Sequence, residues 1–281
     1  MKTIVSITSL ERSGSTILDL SLSKHPKMIS FGEVWRTLSP GRSIDRVKNM
    51  DCNCGHKVKD CEFWSKVFEQ IEREKSIKWI ERYYIFLEIF YSFYGDDFIP
   101  IDSSKFLRAI EKFKLLDDYQ VKTIFTIRDV RGWTYSIKLS EKRKKEMPLK
   151  LIFDFNEFKW QWKAYIRYNF LRKVPGWLSY EWMYRNRKIL KFLEKNNYNY
   201  LKISYEELNF NDKVFDKIFN FIGLNNTVLQ NSKAHIVDGN RTAFSKDLSL
   251  RYDLKWLRDK PINIMLPQVG YFNKKYVWEW D

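Results

Sequence analysis

The stretch TIVSITSLERSGSTILDLSLSKHPKMISFGE, Thr3 to Glu33, decides the fold. Ile4, Val5 and Ile7 form an apolar, β-branched run that predicts a buried strand. Ile17, Leu18, Leu20 and Leu22 then predict a helix. Between them, Arg12-Ser13-Gly14-Ser15-Thr16 stands where that helix begins. Free backbone N–H groups and the positive end of the helix dipole favour an anion there, and the hydroxyls add donors. Gly14 lets the backbone approach a ligand closely. Arg12 brings a permanent cation with a planar donor fork. The pattern reads as a phosphate cradle, although it lacks the first Gly and the Lys of GxxxxGK[ST]. On this stretch alone, a Ser/Gly-rich turn that merely caps the helix is the alternative.

A loop and three further strand–loop units follow. Phe31-Gly32-Glu33 comes after the turn at His25-Pro26, which, if the sheet is parallel, places Glu33 on a loop at the cradle's end of it. A carboxylate beside a cationic anion site is a candidate general base, against the alternative of a surface or capping glutamate. Phe98 to Ile101 predicts a strand, and Asp102-Ser103-Ser104-Lys105 a loop leading into a helix over 106–116. Lys105 is a second candidate anion contact. Asp102 could instead hold Mg²⁺, as in a nucleotide kinase. Val121 to Ile127 is the clearest buried strand; it ends at Arg128, with Ser136 roughly two helical turns beyond. Tyr200 to Ile203 is a last strand before Ser204-Tyr205. Helices are expected over 65–94 with a break near Lys75-Ser76, over 156–171 and 179–194, and over 212–222 with a stop at Gly223. Alternating strands and helices imply a parallel sheet covered on both faces, with the ligand at the strands' carboxyl ends.

The chain has 281 residues, 44% hydrophobic and 17% aromatic, which indicates a folded globule. No repeat or composition break divides it, so one α/β domain over 1–281 is expected, with a polar, irregular insertion at 36–64. The formal charge of +15 points to an anionic cofactor, a polyanion or an acidic surface. The basic residues are scattered and match no nucleic-acid signature, so no nucleic-acid partner is expected. The apolar run Tyr83 to Tyr94 is too short to span a bilayer and contains Glu88. With a strand starting at residue 3 and no leader in view, a cytoplasmic location is expected. In the same region Ile80, Tyr83, Tyr84, Leu87, Tyr91 and Tyr94 form one helical stripe, read as core or as an acceptor-pocket wall. Cys52, Cys54 and Cys61 with His56 make four soft ligands, but Cys52 and Cys54 lie closer than the usual C-x₂₋₄-C spacing. They are therefore read as a structural loop or a single disulfide, and no metal is expected.

Taken in order, these segments resemble the sulfotransferases that use 3′-phosphoadenosine-5′-phosphosulfate (PAPS). The similarity rests on Arg12 to Thr16, Gly32-Glu33, Asp102 to Lys105, Arg128 to Arg131 with Ser136, Tyr205 to Leu208, and His235 to Arg241. The CxCG…C…FW stretch is similar to an insertion in bacterial members. The resemblance implies a P-loop-like α/β fold, PAPS as donor and 3′,5′-adenosine bisphosphate (PAP) as product, with no metal. It implies that Arg12, Ser13, Gly14, Ser15 and Thr16 hold the 5′-phosphosulfate and that Arg128 and Ser136 hold the 3′-phosphate. Tyr205 would lie near the adenine, and Asn240 and Arg241 near the cofactor's far end. Glu33 is similar to the base of tyrosylprotein and some bacterial members, with His25 and His235 as competing candidates, and Lys105 to a lysine that helps hold the sulfuryl group. Ala243 departs from the family, which often has Arg there. The implied acceptor is a small molecule, glycan, lipid or peptide; the sequence fixes neither it nor an oligomeric state. The rival readings are a Mg²⁺-dependent P-loop kinase using Asp102 and a non-enzymatic polyanion-binding module.

Overall fold

β1 (Lys2–Ser9) is buried on both faces, as a central parallel strand must be. Its side chains alternate: Ile4 packs into one apolar cluster, while Val5 and Ile7 pack into another on the opposite face. The computed structural model describes residues 1–76, 78–105, 107–142, 166–167, 170–227, 234–238, 252–258 and 266–280. β2 (Met28–Ser30), β3 (Ile99–Asp102), β4 (Tyr119–Ile127) and β5 (Tyr200–Ser204) join β1 in one sheet of order β2-β3-β1-β4-β5. Every pairing is parallel, so the loops after all five strands share one edge.

The helices are α1 (Ser15–Leu22), α2 (Val34–Thr37), α3 (Ile44–Lys48), α4 (Trp64–Arg73), α5 (Trp79–Tyr94), α6 (Leu107–Phe113) and α7 (Val130–Lys142). After them come α8 (Trp177–Lys195), α9 (Tyr205–Phe210), α10 (Val214–Ile222), α11 (Lys255–Arg258) and α12 (Pro267–Asn273). Leu18 and Leu22 of α1 share a cluster with Ile218 and Phe219 of α10. Trp133 of α7, Trp182 of α8 and Phe272 of α12 fill another beside β4. The aromatic stripe of α5 is core: Tyr83 and Leu87 are fully buried and Tyr91 nearly so, among Phe31, Phe63 and Trp64.

Residues 36–64, expected to be irregular, are built into that same cluster. Short helices and a tight turn at Val58–Asp60 bury Val47, Cys52, Val58, Cys61 and Phe63. The segment reads as polar because charged residues alternate closely with the few apolar ones that point inward. The helix expected over 156–171 falls almost wholly outside the described residues, as do Asn240 and Arg241.

Both outer strands of the sheet are flanked by other chain. Beside β2, Ala234 forms a parallel bridge with Ser30, and the His235 amide donates to the Ser30 carbonyl at 2.8 Å. Beside β5, a π turn at Lys274–Trp278 brings Trp280 Nε1 to 3.2 Å from Ser204 Oγ, and Lys202 Nζ reaches the Glu279 carbonyl at 3.4 Å. No helix among the described residues is long and apolar enough to cross a membrane.

Candidate active site

The loop from β1 to α1 takes an unusual backbone path. Arg12 at φ +67° and Gly14 at φ +89° are both left-handed, a turn that gathers successive N–H groups into an anion-binding nest. Arg12 is strained there, since a side chain disfavours that region. No side chain caps the start of α1, and the buried Ser13 Oγ has no hydrogen-bond partner among the described residues. Gly14 is required by contact as well as by φ: a Cβ on it would lie 2.5 Å from Cδ2 of Tyr205.

Arg128 joins this loop from the end of β4. Its Nη1 donates to the Arg12 carbonyl at 3.3 Å, and its guanidinium lies 4.7 Å from the Tyr205 ring centroid. Nη2 pairs with Asp253 at 3.4 Å, while Nε is buried without a partner. The side chain folds back over Gly132, where a Cβ would come within 3.0 Å of Nε. Ser136 lies one turn further along the same face of α7 and is half-buried. Tyr205 in turn stacks on Tyr252 at 5.7 Å. Beneath them, burial pushes the Glu206 carboxyl up to about 7, and this side chain accepts from the Asp129 amide at 3.1 Å.

Glu33 stands after β2, only 6% exposed. Its carboxylate bridges two cations, Lys105 Nζ at 3.0 Å and Arg36 Nε at 2.9 Å. Lys105 is thus paired with the candidate base rather than left for an anion alone. Its own backbone is tied to the central strand, because Thr8 Oγ1 donates to the Lys105 carbonyl at 3.3 Å. The Glu33 amide donates to the Asp238 carbonyl at 3.3 Å. Gly32, at φ +66°, lets this happen: a Cβ there would meet Ile236 at 2.7 Å and Asp238 O at 2.8 Å.

Two buried acids lie behind the pair. Asp102 accepts from Tyr83 OH at 3.1 Å and from the Ser104 amide at 2.8 Å, and burial pushes it up to about 7. Asp19 accepts from Ser103 Oγ at 2.7 Å and is pushed up by burial to about 6. Asp102 is therefore a hub that shapes the β3–α6 loop; at 1% exposure it does not present a carboxylate to Mg²⁺. The kinase reading loses its metal-binding acid.

The cysteines correct a second expectation. Cys52, Cys54 and Cys61 do converge, but with His235 and not His56, which is exposed. His235 sits among these thiols, its ring between Cys61 and Tyr94. His25 is buried, its Nδ1 accepting from the Lys27 amide at 3.2 Å while Nε2 lies 3.2 Å from the Asn225 carbonyl, and it packs on Phe219. Its role is structural.

The structure thus brings Arg128 against the Arg12 carbonyl and Tyr205 against Arg128 and Gly14, and pairs Glu33 with Lys105 at the same sheet edge; Ser136 lies four residues beyond Gly132 on α7. Arg36, Tyr252 and Asp253 enter the site unannounced by any motif. Lone charged residues outside a strand–loop junction carry no signal in sequence. No family model and no curated protein matches the chain. Among solved structures, a sulfotransferase from Alicyclobacillus acidocaldarius aligns over 100% of this chain and 98% of its own, at 11% identity and a TM-score of 0.47. That likeness is too slight to assign an activity.

Proposed function

We propose that this chain is a sulfotransferase that moves a sulfuryl group from PAPS to an acceptor hydroxyl or amine, releasing PAP. The observation that carries the reading is the contact of Arg128 with the Arg12 carbonyl while its guanidinium lies over Tyr205. A backbone nest, a second fixed cation and an aromatic face next to both suit an adenosine nucleotide bearing two separate anionic groups. The unpartnered Ser13 Oγ and Arg128 Nε fit bound anions as their missing partners.

Bound PAPS supplies the transferable sulfuryl group on a phosphosulfate anhydride. Residues Arg12 to Thr16 hold that end; Arg128, released from Asp253, and Ser136 hold the 3′-phosphate; Tyr205 lies by the adenine. Asn240 and Arg241 are assigned to the far end by the family resemblance alone. Glu33 takes the acceptor's proton, its carboxylate held in place by Lys105 and Arg36. Lys105, held by its pair with Glu33, and the exposed side chain of Arg12 would stabilise charge that grows on the bridging oxygen. A sulfuryl group carries less charge than a phosphoryl group, so no step in this reading is routed through a metal.

The test is ligand stabilisation. PAP at 100 times its Kd should stabilise the fold by about 2.7 kcal/mol, roughly 4–5 °C in Tm for a chain of this size. AMP, lacking the second phosphate, should give much less, and Arg128→Ala should erase the difference. Equal shifts with PAP and AMP would overturn the two-anion site.

A further inference from the structure

All three cysteines of the chain and one of its three histidines meet at a single point. Their ligand atoms lie within 4.8 Å of one another. A tetrahedral zinc with thiolates at 2.3 Å sets its ligands about 3.8 Å apart, so a contraction of about 1 Å or less closes the shell.

The local fold explains how so tight a spacing still chelates. Asp51 and Lys57 form an antiparallel bridge, the Cys52 amide donates to the His56 carbonyl at 2.8 Å, and the Gly55 amide to the Cys52 carbonyl at 3.0 Å. Gly55, at φ +98°, turns this hairpin so that Cys52 and Cys54 serve one side. Cys61 arrives after the turn at Val58–Asp60. His235 comes from 174 residues further on, its Nδ1 at 3.2 Å from Cys61 Sγ.

The far side of the imidazole is also prepared. Tyr94 OH sits 2.7 Å from His235 Nε2, the outer hydrogen bond that orients a metal-bound histidine and leaves the other nitrogen for the ion. Cys61 is fully buried, Cys52 is 3% exposed and His235 is 7% exposed. A disulfide would join two sulfurs and account for neither the third thiol nor the histidine. A closed S₃N set of borderline-soft ligands, all from protein, matches structural zinc.

We infer that Cys52, Cys54, Cys61 and His235 bind one structural zinc ion, held in place from outside by Tyr94. This replaces the sequence expectation of no metal, and it stands independently of the sulfotransferase reading. The ion would staple the 51–61 hairpin to the 234–238 segment. That segment is already pinned by Trp64 Nε1 on the His235 carbonyl at 2.6 Å and by a reciprocal pair with Asn53 at 2.7 and 2.9 Å. It also carries the Asp238 carbonyl that receives the Glu33 amide. Zinc thereby fixes the backbone of the proposed base without touching substrate.

The experiment is elemental analysis of the full chain, purified under reducing conditions without metal-affinity resin. One zinc per chain is expected, with an X-ray absorption edge and fine structure of three sulfurs and one nitrogen. Cobalt(II) added to the apo form should give the intense visible bands of a tetrahedral thiolate site. His235→Ala should lose the ion, His235→Cys should restore it, and His56→Ala should keep it. Tyr94→Phe should weaken affinity roughly 10- to 100-fold while the chain stays folded. Substoichiometric zinc together with failure to take up cobalt would overturn the site, as would an intact mass two hydrogens short, marking a disulfide. Loss of metal in His56→Ala but not in His235→Ala would refute the ligand set.

Discussion

Gly14→Ala tests the geometry of the cradle without assuming any ligand. The new methyl would sit 2.5 Å from Tyr205 Cδ2, on a backbone at φ +89°. Holding alanine in the left-handed region costs about 1 kcal/mol or more. Displacing a packed ring to relieve the overlap adds about 1–3 kcal/mol. The expected loss is therefore about 2–4 kcal/mol, or roughly 3–7 °C in Tm for a chain of this length. Urea denaturation of the purified chain measures it. A displaced Tyr205 also leaves Arg128, so PAP binding should fall by roughly 3- to 30-fold, the range of a partly desolvated cation–π contact. The Tyr205→Ala background separates the two causes. There Gly14→Ala should cost only the backbone strain, about 1 kcal/mol. A single-mutant loss below about 0.5 kcal/mol, or an undiminished loss in the double mutant, would refute the contact as the reason for glycine.

Glu33→Gln should lower kcat roughly 10²- to 10⁴-fold with PAP affinity nearly unchanged; near-normal turnover at saturating PAPS would dismiss Glu33 as base. The same variant strips Lys105 and Arg36 of a shared carboxylate and should cost about 1–3 kcal/mol in urea unfolding, a loss that a solvated, weak pairing would not produce. Asp102 and Glu206 are pushed up to about 7 and Asp19 to about 6, so the folded chain holds protons that the unfolded chain releases near pH 4. Their contribution to stability is thus fully present below about pH 4 and lost as pH rises through 6 to 7; Asp102→Asn should flatten that decline, and an unchanged slope in a urea–pH series would contradict the assignment. Turnover should persist when Mg²⁺ is withheld, whereas an absolute Mg²⁺ requirement would revive the kinase reading despite the burial of Asp102.

Four of the five strands and their loops were legible because each combines a short apolar run with a helix start, a signal local to a dozen residues; β2, three residues long, carried no such run. Ile4, Val5 and Ile7 announced β1, and the hydroxyl–glycine cluster announced the cradle. What stayed hidden depends on contacts across the fold. Lys105 read as an anion contact alone because nothing in the chain indicates that β2 and β3 are neighbours, which is what sets it against Glu33. Asp102 read as a possible Mg²⁺ ligand because it follows a strand, and only the packing of Tyr83 reveals its burial. His56 was counted as a ligand by proximity to the cysteines, while His235 closes the group from a distant segment. The α5 aromatics gave a correct period, but period alone does not say which surface a helix meets.

The coverings of β2 and β5 bear on how the protein behaves in company. A parallel sheet ends in two rows of unpaired amides and carbonyls, and each row is a template for another extended chain. Here one row is met at Ser30 by the Ala234–His235 pairing, and beside the other the Lys202 and Ser204 side chains meet Glu279 and Trp280. Neither covering is a strand of the sheet, so neither passes an edge onward. If the 234–238 segment came loose, Ser30 would be left on a bare margin only three residues long, next to fully buried Met28 and Ile29. The hairpin that grips His235 would then serve colloidal stability as well as geometry, keeping the sheet from recruiting its neighbours.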